Sequence, residues 1–145
     1  MDRLLEIAKR PAITTTRSAT ILELCAQMVA EHVGAVAVVD GERLVGIVSE
    51  RDVVWRVVTQ RRDVEKTTVG DIMTTTVRTA QAHMKVSEVI QIMHDGRFRH
   101  LPLVDNEGHV IGMLSVRHLL RRRLEELDLK NADLVNFISA DGPGG

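Results

Sequence analysis

Apolar residues recur along the first third of the chain at two different spacings. Within residues 21–29 the apolar side chains stand three and four positions apart, which predicts an amphipathic helix. Two short apolar runs follow at 36–39 and 44–48, separated by a turn at Asp40 and Gly41, and this arrangement indicates a β-hairpin. A further helix is predicted from about Glu50.

The same series of elements occurs again about 65 residues later. Residues 86–93 repeat the helical spacing, apolar runs at 101–104 and 110–114 repeat the hairpin, and a helix is predicted from about Val116. The segments 12–16 and 77–80 predict one additional strand for each copy. The chain is therefore predicted to have an α/β (α+β) fold. It would consist of two tandem β-α-β-β-α repeats, related by pseudo-twofold symmetry and burying one shared core.

These patterns also set the expected domain boundaries. We predict an N-terminal helix at 1–11, the first repeat at 12–60, a linker at 61–76 and the second repeat at 77–127. A C-terminal helix and tail are predicted at 128–145, where an apolar helical pattern continues to Ile138. Such a stripe indicates a partner helix, within the chain or across a dimer.

Composition narrows the class of protein. A chain of 145 residues with 44% hydrophobic residues can bury a core without a metal or a disulfide. The net charge of -1 argues against a general nucleic-acid or anionic-membrane binder. The sequence has a single cysteine, Cys25, no signal-peptide pattern and no apolar run of membrane-spanning length. These features predict a soluble cytoplasmic protein that binds neither nucleic acid nor a membrane. The six histidines lack the spacing of known zinc motifs, so no metal site is expected.

Two equivalent stretches differ at one position that carries chemistry. GIVSERDVV at 46–54 and GMLSVRHLL at 112–120 share a glycine, a serine and an arginine, but Asp52 is replaced by His118. The spacing of Ser49 and Asp52 fits a helix capping box. The same geometry also suits a phosphate at the helix start and a carboxylate that accepts both hydroxyls of a ribose. Capping accounts for Ser115 as well as Ser49, but leaves the loss of the acid unexplained.

The order and spacing of these stretches resemble the cystathionine-β-synthase (CBS) domain pair, also called a Bateman module. The resemblance covers about residues 11–125. It rests on GAVAVVD at 34–40, RHLPLVD at 99–105, the glycine-to-aspartate stretch at 46–52 and GDIMTTTV at 70–77. It implies a stand-alone regulatory pair that binds an adenosine ligand in clefts between its repeats. AMP is the foremost candidate, and ADP, ATP, NAD and S-adenosylmethionine are the others.

The resemblance implies two unequal clefts. The first would be formed by Ile47, Ser49, Arg51, Asp52, Val77, Arg78, Arg99, His100, Leu101 and Pro102. Its apolar members would enclose the adenine, Asp52 would hold the ribose, and the residues at 99 and 100 would meet phosphate. The second, weaker cleft would be formed by Ile13, Thr14, Gly34, Ala35, Val36, Ser115, Arg117 and His118. Neutral His118 has one donor and one acceptor, so we expect this cleft to be empty or to take a different ligand, such as an adenine without a well-held ribose phosphate.

Two classes of function remain. The first is a non-enzymatic nucleotide sensor that regulates an unidentified partner protein in trans, with no cofactor required. The alternative is a ligand-free structural or adaptor dimer, in which Asp52 only caps a helix. No nucleophile–base pair or metal triad can be assembled, which argues against an enzyme. A homodimer is predicted from apolar residues on the helices that follow the hairpins, namely Val53, Val54, Val57, Val58, Leu119, Leu120 and Leu124.

Overall fold

The computed structural model describes residues 3–127 of the chain, so the predicted segment 128–145 lies outside the described residues. The first repeat and its flanking segments contain α1 (Arg3–Ile7), β1 (Thr14–Thr15), α2 (Ile21–Glu31), β2 (Ala35–Asp40), β3 (Arg43–Ser49), α3 (Glu50–Val53), a π-helical turn (Val54–Val58) and α4 (Val69–Ile72). The second contains α5 (Val86–Gly96), β4 (His100–Val104), β5 (Val110–Ser115) and α6 (Val116–Glu126). No described helix is both long and apolar enough to cross a membrane.

The predicted fold class of mixed helices and strands in tandem repeats is confirmed. In the first repeat β1 pairs in parallel with β2, and β2 pairs antiparallel with β3. In the second repeat β4 and β5 form an antiparallel pair. The strand predicted at 77–80 is wrong, because within that segment only Ala80 pairs with β4, through a single parallel bridge to Leu103.

Each repeat buries its own hydrophobic core. The first cluster is built around α2 and its hairpin and includes Val69 and Ile72 from α4. The second is built around α5, α6 and the second hairpin, and it includes Leu4 from α1. The expectation of one shared core is therefore wrong. Helices of each repeat cover the hairpin of the same repeat, and segments outside the predicted repeats complete each core.

Reciprocal hydrogen bonds join the two hairpins at their turns. The amide of Leu44 donates to the carbonyl of Gly108, and the amide of Val110 donates to the carbonyl of Glu42, both at 3.1 Å. The 66-residue offset between the repeats relates Leu44 to Val110 and Glu42 to Gly108. The two bonds are thus equivalent under the pseudo-twofold symmetry that the sequence repeat predicts.

A second equivalent pair of contacts explains the repeated glycines. Thr74 exchanges backbone hydrogen bonds with Ile47 at 2.9 and 3.0 Å, and Lys9 exchanges them with Met113 at 2.9 and 3.1 Å. A side chain on Gly46 would place its Cβ 3.0 Å from the Thr74 carbonyl, and one on Gly112 would place it 3.1 Å from the Lys9 carbonyl. Glycine at both positions therefore permits the close approach of the chain at Thr74 and at Lys9. Thr74 borders the first candidate cleft, and Lys9 borders the second.

Candidate functional site

The first candidate site is a cleft of about 230 Å³ between the two repeats. Its walls come from the junction of β3 and α3, from the segment 74–78 and from the residues that lead into β4. Nine residues that the sequence analysis assigned to the first cleft line it: Ile47, Ser49, Arg51, Asp52, Val77, Arg78, Arg99, His100 and Leu101. The structure thus brings these residues together, while their roles in binding stay predictions.

The tenth predicted residue, Pro102, does not line this cleft. It is buried within β4, where its carbonyl accepts the amide of Ala80 at 2.9 Å. The resemblance to the CBS domain pair implied that Pro102 belongs to the cleft, but in the structure the cleft ends one residue earlier, at Leu101.

Several lining residues were not predicted for the first cleft. They are Gly34, Ala35, Glu50, Thr74, Thr76, Arg97 and Phe98. Arg97 ends α5 in the left-handed conformation, with φ of 57°, and this turn leads the chain into the cleft. An aromatic residue within the basic run RFRH at 97–100 was a usable signal for Phe98. The contribution of Thr74 had no local signal, because it depends on the pairing with Ile47.

Asp52 serves as a helix cap in this structure. Its Oδ2 accepts the Ser49 amide at 2.8 Å and the Ser49 hydroxyl at 3.0 Å, while the Asp52 amide donates to the Ser49 hydroxyl at 3.3 Å. The other carboxylate oxygen, Oδ1, lies 3.9 Å from Nε of Arg56. Capping therefore uses one oxygen of Asp52, and the second remains available to a ligand hydroxyl.

Two amides at the start of α3, those of Glu50 and Asp52, already have partners. The amide of Glu50 donates to the Gly34 carbonyl at 3.0 Å, and the amide of Asp52 donates to Ser49. A phosphate in this cleft would therefore meet side-chain cations rather than these two amides. This modifies the interpretation of the helix start as the phosphate site.

Cations outnumber acids along the first cleft. The charged and titratable residues that line it are Arg51, Arg78, Arg97, Arg99 and His100 against Glu50 and Asp52. All four arginines are exposed, so their side chains can adjust to an anion. The guanidinium of Arg51 lies 5.3 Å from the centre of the Trp55 ring, which is a cation–π contact. The balance of charge favours a ligand that carries phosphate.

A second cleft of about 140 Å³ is lined by residues of both repeats and shares Gly34, Ala35 and His100 with the first. Six residues predicted for it line it: Ile13, Gly34, Ala35, Ser115, Arg117 and His118. Thr14 and Val36 do not line it; Thr14 lies exposed on β1, and Val36 is fully buried in the first core. The lining also contains Lys9, His32, Val33, His100 and Met113, which the sequence analysis did not assign to this cleft.

Asp105, Glu107 and His109 form a group of metal-ligating type at the turn of the second hairpin. Their ligand atoms lie within 4.8 Å of one another. However, Oδ1 of Asp105 accepts the amides of Glu107 and His109, both at 2.9 Å, and these bonds lower the pKa of Asp105, with that from His109 the largest cause. The group therefore has a structural explanation as a closed turn, and we assign no metal to it.

Comparison with known proteins identifies the family. The CBS domain matches residues 4–59 and 69–125 of the chain. The chain belongs to the CBS domain family. The resemblance seen in the sequence is confirmed, and the two halves of the structure are two CBS repeats. The chain spans 60% or less of the length of the first curated relatives that it matches.

Solved structures of other CBS proteins have the same architecture. A protein with CBS domains from Burkholderia ambifaria is 32% identical, with a TM-score of 0.80 over 87% of this chain and 94% of that one. A CBS domain protein from Pyrobaculum aerophilum, complexed with AMP, is 30% identical, with a TM-score of 0.77 over 88% and 98%. The CBS domain pair of protein MJ0100, in complex with 5′-methylthioadenosine and S-adenosyl-L-methionine, is 25% identical, with a TM-score of 0.77 over 85% and 96%.

Proposed function

We propose that the first cleft binds an adenosine nucleotide, with AMP foremost, and that binding regulates a partner protein in trans. The observation that carries this proposal is the meeting of Asp52 from the first CBS repeat and Arg99 from the second in one cleft. The AMP complex of the Pyrobaculum protein and the adenosyl ligands of MJ0100 support it.

The lining residues suggest a role for each part of the nucleotide. Ile47, Val77 and Leu101 provide apolar surface for the adenine, and Asp52 Oδ1 is the acceptor for a ribose hydroxyl. Arginines from segments beyond the first repeat, at 78, 97 and 99, would contact the phosphate, because a guanidinium presents several donors to phosphate oxygens. The site thus contains groups suited to all three parts of AMP.

Regulation would follow from the position of this cleft. A ligand held by both repeats favours the arrangement in which Asp52 and Arg99 face each other, since a ligand shifts an equilibrium by its differential affinity for two states. The partner protein would recognise this arrangement of the repeats at the exterior surface of the chain. We propose no catalytic step and no required cofactor.

Calorimetry with AMP, ADP, ATP, NAD and S-adenosylmethionine tests the proposal. We expect at least one of these ligands, AMP foremost, to bind at the first cleft. Arg99→Gln should weaken AMP binding by about tenfold to a hundredfold, since a hydrogen bond between charged groups is worth roughly 1.5–3 kcal/mol. Arg17→Gln is the matched control, because Arg17 is exposed and lies outside the linings of both clefts. Absence of binding by all five ligands would overturn the proposal.

A ligand-free adaptor dimer is the second candidate function. It is favoured by the exposed apolar surface of Val54, Trp55 and Val58 on the π-helical turn, and by the cap that Asp52 forms without a ligand. The same calorimetry separates the candidates, because an adaptor would dimerise through this face but would bind no nucleotide.

A further inference from the structure

The pseudo-twofold symmetry relates the two clefts residue by residue. The same offsets that pair Ser49 with Ser115 pair Asp52 with His118, and the backbone contacts above pair Thr74 with Lys9. All three members of the second set line the second cleft. In the second cleft a histidine thus replaces the acid proposed to hold ribose, and a lysine replaces an uncharged threonine.

These replacements make the second cleft cationic. Its lining contains Lys9 and Arg117, together with three histidines, His32, His100 and His118. None of its lining residues within the described chain is Asp or Glu. Burial is the largest cause of the lowered pKa of His118, and repulsion from the neighbouring cations of Arg117, Arg121 and Lys9 adds to it. An anion bound there would relieve this repulsion.

Backbone hydrogen bonds hold Lys9 at the second cleft and so limit the positions that its ammonium group can occupy. The segment carrying Lys9 is held against β5 by two hydrogen bonds to Met113. Its Nζ donates to the carbonyl of Glu31 over 3.4 Å, and an ammonium group has two further protons to donate. The first amide of α6, that of Val116, donates to the Arg99 carbonyl at 2.9 Å, so an anion would be held here mainly by side chains.

We propose that the second cleft binds a small phosphoryl anion, such as phosphate or pyrophosphate. Binding at this site would not depend on a ribose. The site combines Lys9 from the segment before β1 with Arg117 and His118 from the first turn of α6. It lacks the carboxylate that a ribose would need and is smaller than the first cleft, at about 140 against 230 Å³. Its lining shares Gly34, Ala35 and His100 with that of the proposed nucleotide site, but Lys9, Arg117 and His118 belong to the second cleft alone.

Titration with pyrophosphate, in the absence of nucleotide, tests the proposal. The expected result is one binding site per chain. Lys9→Met should weaken it by about tenfold, as expected for the loss of one charge-assisted hydrogen bond. Lys66→Met is the matched control, since Lys66 is exposed and lies outside both clefts. His118→Asp should weaken it further than Lys9→Met does, because it places a carboxylate beside the anion.

The competing location for pyrophosphate is the first cleft. Arg78→Gln distinguishes the two, because position 78 corresponds to uncharged Ile13 in the second cleft. Pyrophosphate binding that Arg78→Gln weakens and that Lys9→Met and His118→Asp leave unchanged would overturn the proposal, as would no binding at millimolar pyrophosphate. AMP affinity is measured separately on the same variants. It should be unaffected by Lys9→Met, so failure of the anion site and failure of the nucleotide site give different results.

Discussion

Asp52 Oδ2 accepts hydrogen bonds from both the amide and the hydroxyl of Ser49, at 2.8 and 3.0 Å. The second repeat keeps only the serine part of this arrangement, with the His118 amide 3.5 Å from the Ser115 hydroxyl. A helix therefore starts at both places, although only one has an acid. The cap uses Oδ2 and leaves Oδ1, so capping and ribose binding by Asp52 are compatible.

We predict that Asp52→Asn weakens AMP binding by about tenfold to a hundredfold, because a hydrogen bond to a charged group is worth roughly 1.5–3 kcal/mol. The folded state should lose less than about 1 kcal/mol, since the amide oxygen of asparagine still accepts from Ser49. Calorimetry and a thermal melt measure the two effects. 2′-Deoxy-AMP should bind wild type more weakly than AMP does, and the mutant should discriminate much less between the two ligands.

Asp71→Asn is the matched control for this substitution. Asp71 accepts the amide of Thr68 at 2.9 Å, which is the same kind of cap, at the start of α4 and outside the linings of both clefts. Since asparagine still accepts from Thr68, it should lower the melting temperature only slightly, as Asp52→Asn does, and it should leave the affinity for AMP unchanged. If Asp52→Asn discriminates ribose from deoxyribose as well as wild type does, Asp52 is only a cap.

Trp55 should report phosphate binding in the first cleft. It is the only tryptophan, and the Arg51 guanidinium lies 5.3 Å from its ring centre while also lining that cleft. A bound phosphate should draw Arg51 away from the ring, so AMP should change the fluorescence of Trp55 more than adenosine does. Arg51→Gln should remove this difference. AMP binding in calorimetry without a change in Trp55 emission would contradict the link.

The exposed face of the π-helical turn predicts a homodimer. Val54, Trp55 and Val58 are 49%, 63% and 62% exposed there. Val58→Asp should convert a dimer to a monomer at micromolar concentration, because it places a charge in the apolar contact. Val29→Asp is the control, since Val29 is 74% exposed and belongs to α2 rather than to the π-helical turn. Sedimentation gives the masses, and a monomeric wild type would contradict the prediction.

The hairpins could be predicted from the sequence because their signals are local. The apolar run at 36–39 lies within β2 and that at 101–104 lies within β4, and the turns between strands contain Gly41 and Gly108 with positive φ values of 66° and 83°. Apolar patterning and turn residues act between neighbours in the chain, so they can be read in a short window. The offset between the repeats then identified pairs of equivalent residues in the two clefts.

The position of Lys9 could not be predicted from a short stretch of sequence. Lys9 reaches the second cleft because its backbone pairs with Met113, more than a hundred residues away, and no periodic pattern marks that contact. The error over a shared core has a related cause. An apolar helix face indicates burial, but it does not say which neighbour covers it, and here Leu4 and Val69 cover different hairpins.

His118 should titrate with a pKa below the ordinary value for histidine. Burial is the largest cause of its lowered pKa, followed by the cations of Arg117, Arg121 and Lys9, and the second cleft adds His32 and His100. A histidine whose folded-state pKa lies below the ordinary value of 6.5 favours its neutral form on folding. Its contribution to the free energy of unfolding is therefore fully present above that value and is lost as the pH falls through and below it.

A bound anion should act in the opposite direction on the same group. Sulfate keeps its charge between about pH 5 and 8, where histidine titrates, so it is a suitable probe. It should raise the pKa of His118, and by linkage it should bind more tightly as the pH falls. His118→Gln should reduce this pH dependence and leave the part due to His32 and His100. NMR of the His118 ring with and without sulfate measures the shift, and a pKa at or above 6.5 without sulfate, or one that sulfate leaves unchanged, would contradict the prediction.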